Sequence, residues 1–108
     1  MAEPVPAKEN TTKELEAEGI KFTVNTDLLD DVEAFEHIDR IENKGQVAAI
    51  VPLLNFLIGD EGYAKMKAAF IAQDAKEHEG EEGYKGRFRV SKLSKVYEVI
   101  VENFDPKG

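Results

Sequence analysis

The sequence predicts a mainly α domain: a small bundle of about four helices with a short N-terminal extended segment. Three observations carry that prediction. Apolar residues recur at helical spacing in three separate stretches. A greasy, proline-containing run, QVAAIVPLLNFLIG at positions 46–59, lies between two of them. One short segment, GIKFTVN, alternates with period two instead.

Residues 1–18 are polar and charged, with prolines at 4 and 6, and read as a disordered tail. In the next stretch Ile20, Phe22 and Val24 share one side and Lys21 and Thr23 the other, which is a half-buried strand. Its expected mate is Phe88 to Val90. Asn25, Thr26 and Asp27 then offer N-cap side chains for a helix starting near Leu28. Its apolar stripe is Leu28, Val32, Phe35, Ile38 and Ile41. Gly45 suits the left-handed position that ends it.

With Gly45, the greasy run makes 15 consecutive residues without a charge, while all 36 Asp, Glu, Lys and Arg occupy the other 93 positions. Pro52 lacks an amide proton and belongs in a helix's first turn. A compact helix is therefore expected over 51–58, preceded by a turn or short helical piece at 46–50. Leu53, Leu54, Phe56, Leu57 and Ile58 surround its axis, so it is expected to be buried on all sides. A third helix runs from Asp60 to about Lys76 on the stripe Tyr63, Met66, Phe70 and Ile71. EHEGEEGYKG, at 77–86, has three glycines and four glutamates and reads as a mobile loop. Ser91 is placed to cap the last helix, whose stripe is Leu93, Val96, Tyr97, Ile100, Val101 and Phe104. Asp105 and Pro106 stop it. A single helical domain over 19–105 follows.

Composition narrows the function classes. At 108 residues the chain suits one domain with a modest core. The net charge of −8 disfavours nucleic-acid backbones and anionic membranes as partners. The uncharged run is shorter than the ~20 apolar residues a membrane span needs. The N-terminus lacks a basic segment followed by an apolar one, so no signal peptide is expected. There is no cysteine, hence no disulfide or thiolate metal site, and a cytoplasmic location fits.

Catalytic material is sparse. The chain has two histidines and no cysteine to build a nucleophilic triad. His37 and Glu33 could share a helix face as metal ligands, but His37 lies opposite the apolar stripe and reads as a surface histidine. His78 sits in the acidic loop, without the spacing of a calcium-binding hand. No phosphate-binding glycine loop is present. An enzyme is not expected, and no cofactor. Tyr63, Phe70, Tyr97 and Phe104 sit at core spacing. KGRFRVSKLSK interleaves five bases with Phe88, and within an acidic chain it does not argue for RNA.

Charge is segregated. From Asp27 to Glu42 there are seven acids and one base, and from Lys85 to Lys95 five bases and no acid. Two complementary surfaces meeting between subunits are one expectation, with Asp30, Asp31, Glu33 and Glu36 facing Arg87, Arg89, Lys92 and Lys95 of a neighbour in a homo-oligomer. Attraction within one chain is the other.

FTVNTDLLDDVEAFEHIDRIE followed by VPLLNFLIGDEGYAKMKAAF resembles the tail assembly chaperones of long-tailed bacteriophages and prophages. The features carrying the resemblance are Asp30, Asp31 and Glu33 after a short extended segment, then the proline-led apolar helix from Pro52 to Glu61. The helix of Tyr63 to Phe70 and a final helix from Leu93 to Phe104 complete the pattern, over about residues 20–104. The resemblance implies a non-enzymatic protein of the host cytoplasm. Such a protein coats the hydrophobic tape measure protein, keeps it soluble and helps recruit major tail protein subunits. On that reading Leu53, Leu54, Phe56, Leu57, Ile58, Tyr63, Phe70, Leu93, Tyr97, Ile100 and Phe104 build the core and part of the partner interface. The family also commonly makes a longer form by ribosomal slippage near the end of the gene. Asp105, Pro106 and Lys107 can be encoded GAC-CCA-AAA, which holds a heptamer of the required form. The competing classes are a small acidic regulator that mimics nucleic acid and a generic helical adaptor.

Overall fold

The computed structural model describes residues 12–103. Two antiparallel strands, β1 (Thr12–Ala17) and β2 (Ile20–Asn25), open it. A 3-10 turn at Thr26–Asp30 leads into helix α1 (Val32–Glu42). A second 3-10 turn at Val47–Ala49 runs into α2 (Ile50–Ile58), followed by α3 (Asp60–Glu77) and α4 (Val90–Asn103). The chain is thus mainly helical, with four α-helices and one small sheet among the described residues.

The strand over 20–25 forms, but its mate is β1 and not Phe88 to Val90. Leu15 pairs with Phe22 and Ala17 with Ile20. Residues 12–17 are therefore part of the fold, which corrects the expectation of a tail extending to residue 18. Leu15 and Ala17 are buried while Glu14 and Glu16 face outward, so this acidic stretch also alternates. The connection is a two-residue turn in which both Glu18 (φ 54°) and Gly19 (φ 83°) are left-handed, the geometry that matches strand twist. Lys92 Nζ reaches Glu18 Oε1 at 3.1 Å, and the Gln73 side chain donates to the Glu18 carbonyl at 2.8 Å. The hairpin tip is thus tied to α4 and α3.

Helix α2 is the centre of the fold. Ile50, Leu53, Leu54 and Leu57 are buried, joined by Met66 and Phe70 of α3 and by Leu93, Val96, Tyr97 and Ile100 of α4. Phe22 and Val24 close the cluster from the sheet. The expectation of burial on all sides needs correction: Val51 and Pro52 are exposed, and Phe56 and Ile58 are half-buried, as is Tyr63 on α3. Nine residues cannot be enclosed by a domain this small without leaving one face at the surface.

Helix α1 departs most from expectation. Asn25 caps the 3-10 turn, accepting from the Asp27 amide at 3.0 Å, and does not start the α-helix. Asp31 is extended (φ −89°, ψ 144°) and caps α1 by accepting from the Glu33 amide at 2.8 Å. This break separates Leu28 from the helical register. The inward face becomes Ala34, Ile38 and Ile41, and Val32 and Phe35 turn outward with 68% of each exposed. Gly45 takes the left-handed conformation (φ 66°), and the Gln46 amide donates to the Arg40 carbonyl at 2.9 Å. Ser91 lies in the first turn of α4, not at its cap, because Arg89 supplies the carbonyl that receives the Leu93 amide.

Segment 78–89 follows a defined path. Phe88 stacks on Phe70, with ring centroids 4.9 Å apart and planes 14° apart. Asp74 of α3 accepts from the Tyr84 hydroxyl, from the Arg87 amide at 3.0 Å and from Arg89 Nε at 2.8 Å. The acidic glycine-rich loop expected over 77–86 is therefore laced to α3 near its end. Phe104, Asp105, Pro106 and Lys107 lie outside the described residues.

Candidate functional site: an acidic-walled apolar groove

The outward turn of α1 leaves an apolar cleft at the surface of the described residues. A cleft of about 700 Å³ opens between the 3-10 turn, α1 and α4. Leu29 and Asp30 contribute from the turn, and Phe35, Ile38 and Glu42 from α1. Leu53 and Ile100 form its floor, and Tyr97 and Val101 come from α4. Val101 is 39% exposed. The groove is thus apolar along its length, with carboxylates in its wall and no lysine or arginine among its lining residues.

Tyr97 joins the two sides. Its hydroxyl donates to Glu42 Oε2 at 2.6 Å. Burial, with help from the Glu42 carboxylate, pushes its pKa well above the usual tyrosine value. The hydroxyl therefore stays protonated and keeps Glu42 in place at the α1 end of the groove.

The charged residues expected to meet a neighbouring subunit divide. Each of the four bases has a partner within the chain. Arg89 engages Asp74, Lys92 engages Glu18, and Lys95 approaches Glu98 at 3.7 Å. The Arg87 guanidinium lies over the Tyr84 ring, 5.8 Å from its centroid. Among the acids, Asp31 serves as a helix cap, and Glu33 lies 3.7 Å from His37. Asp30 lines the groove and Glu36 is exposed. The basic stretch is thus spent on its own fold, and not on the acidic helix of the same chain.

His37 is not the surface histidine its position suggested. Its side chain is 12% exposed, and its Nδ1 accepts from Arg40 Nη1 at 3.1 Å. The rotation of α1 that exposes Phe35 also carries His37 inward. Among the described residues, no three His, Asp or Glu side chains gather as a metal site. No described helix is long and apolar enough to cross a membrane.

Helical periodicity through Leu28, Val32 and Phe35 assigns Phe35 to the core, so periodicity alone does not reveal the groove. The local signal for the observed register is Asp31 as an N-cap with the acidic Glu33 in the first turn, an alternative helix start. No protein-family model, curated protein or solved structure matches the chain.

Proposed function

We propose that this protein is a tail assembly chaperone of a long-tailed bacteriophage or prophage. It binds and solubilises the tape measure protein in the host cytoplasm, helps recruit major tail protein, and performs no catalysis. The observation that carries this reading is the groove. A small acidic protein that leaves Phe35 and Val101 in an open apolar cleft has surface suited to covering a partner's apolar helix. The net charge of −8 suits a protein that must keep an aggregation-prone client in solution. The sequence pattern over 20–104 points the same way.

The test is coexpression with a fragment of the tape measure protein encoded beside it. The expected result is a rise in the soluble fraction of that fragment and its co-purification with the chaperone. Phe35→Ser should reduce both while the protein stays folded. A fragment equally insoluble with and without the protein would overturn the proposal. So would a genome in which no major tail protein gene and no very long helical gene lie nearby.

A further inference from the structure

We infer that the groove selects a cationic amphipathic helix: an apolar stripe flanked by lysine or arginine at both ends of the contact. The inference rests on the groove being a partner site, and adds what that partner must carry.

The geometry of α1 sets the arrangement. Asp30 lies just before the helix and Glu42 is its last residue, and both line the groove. Phe35 and Ile38 lie between them on the same wall. At 1.5 Å per residue the helix separates its two ends by roughly 16 Å. A helix laid along this wall meets a carboxylate, then apolar surface, then a carboxylate. Its matching cations would stand about three turns apart.

The helix ends strengthen the preference. Helix α4 reaches the groove near its C-terminus, through Ile100 and Val101, beside Glu42 at the C-terminal end of α1. A helix C-terminus carries partial negative charge. The last turn of α4 holds no base, and it includes Glu102. Glu42 is fixed by the Tyr97 hydroxyl, so little side-chain freedom is lost when a cation pairs with it.

A second copy of this chain is a poorer occupant. Three of the five bases in its 85–95 stretch, Arg89, Lys92 and Lys95, already pair with Asp74, Glu18 and Glu98. A foreign helix brings cations that are not already engaged.

Two synthetic peptides with one leucine stripe decide the matter. One carries lysines flanking the stripe and the other glutamates at the same positions. Binding to the full chain is read by fluorescence anisotropy at about 0.05 and about 0.5 M salt. The lysine peptide is expected to bind roughly tenfold tighter at low salt, with the advantage shrinking at high salt. The double variant Asp30→Asn, Glu42→Gln should remove the preference, because glutamine still accepts the Tyr97 hydrogen bond but carries no charge. Phe35→Ser should weaken both peptides. Equal binding of the two peptides overturns the charge assignment and leaves the chaperone reading standing. Failure of both to bind removes the groove as a helix site. A self-associated wild-type protein that becomes monomeric on Phe35→Ser would make a second copy the occupant and overturn the inference. Solubilisation of a tape measure fragment is a separate readout, so the two proposals can fail independently.

Discussion

Asp74 on α3 receives the Arg89 guanidinium at 2.8 Å from 15 residues further along the chain. The same carboxylate accepts the Tyr84 hydroxyl and the Arg87 amide. One buried carboxylate therefore determines how the α3–α4 connection returns to the core. Arg89, then Tyr84 and the Arg87 amide, hold the Asp74 pKa down to about 2. An unfolded aspartate titrates near ~3.9, so the charged form is favoured by folding. The resulting stability is present above pH ~4 and lost as pH falls toward ~2. Thermal unfolding across that window should show the loss. In Asp74→Asn the melting temperature should be lower at neutral pH and its dependence on acid flatter. An unchanged acid profile in the variant would show that Asp74 is not the group responsible.

Gly86 makes the second constraint on that connection. It is left-handed (φ 86°), and a Cβ there would collide with the Ile71 carbonyl oxygen and crowd Ala75. Gly86→Ala is expected to destabilise by roughly 2 kcal/mol or more, since strain and collision add. Gly80 is also left-handed but has open space around it. Urea midpoints should therefore fall further for Gly86→Ala than for Gly80→Ala.

The rotation of α1 predicts opposite outcomes for two neighbours. Ala34 is fully buried, so Ala34→Leu should overpack the core and cost about 1–3 kcal/mol. Phe35→Ser should change stability by no more than about 0.5 kcal/mol. Denaturant titration of both variants checks the register. A reversed order would restore the stripe through Val32 and Phe35.

Leu54 has no exposed surface and Phe56 is half-buried. Leu54→Ala is expected to cost about 2–5 kcal/mol, and Phe56→Ala less. Amides of Ile50–Ile58 should be among the slowest to exchange with solvent. Fast exchange through that helix would remove it from the centre of the fold.

All three tyrosines are shifted upward. Burial and Glu42 raise Tyr97, burial raises Tyr63, and the hydrogen bond to Asp74 leads for Tyr84. A raised folded pKa contributes stability that is complete below the unfolded value of ~10 and lost as pH rises through the folded one. Ultraviolet titration of the folded protein should show tyrosinate forming at higher pH than in the unfolded chain, where tyrosine titrates near ~10, with Tyr97 last. Two or more tyrosines titrating at that unfolded value, with the helical signal intact, would contradict the hydroxyl contact of Tyr84 or of Tyr97.

The sequence alone determined the helical class, the extents of α2 and α3 to within about a residue, the presence of α4 though not its start at Val90, and most of the core. Periodicity, Pro52 and Gly45 act locally, so they can be read locally. Tertiary structure decided three things. It gave β2 its partner, because Leu15 and Ala17 become an apolar edge only when paired against Phe22 and Ile20. It drew the acidic loop onto α3, because Asp74 finds its partners 10, 13 and 15 residues away. It turned α1 through the cap at Asp31, because two competing N-caps lie six residues apart and only packing against α2 chooses which face is buried. That choice left Phe35 outside, and with it the groove.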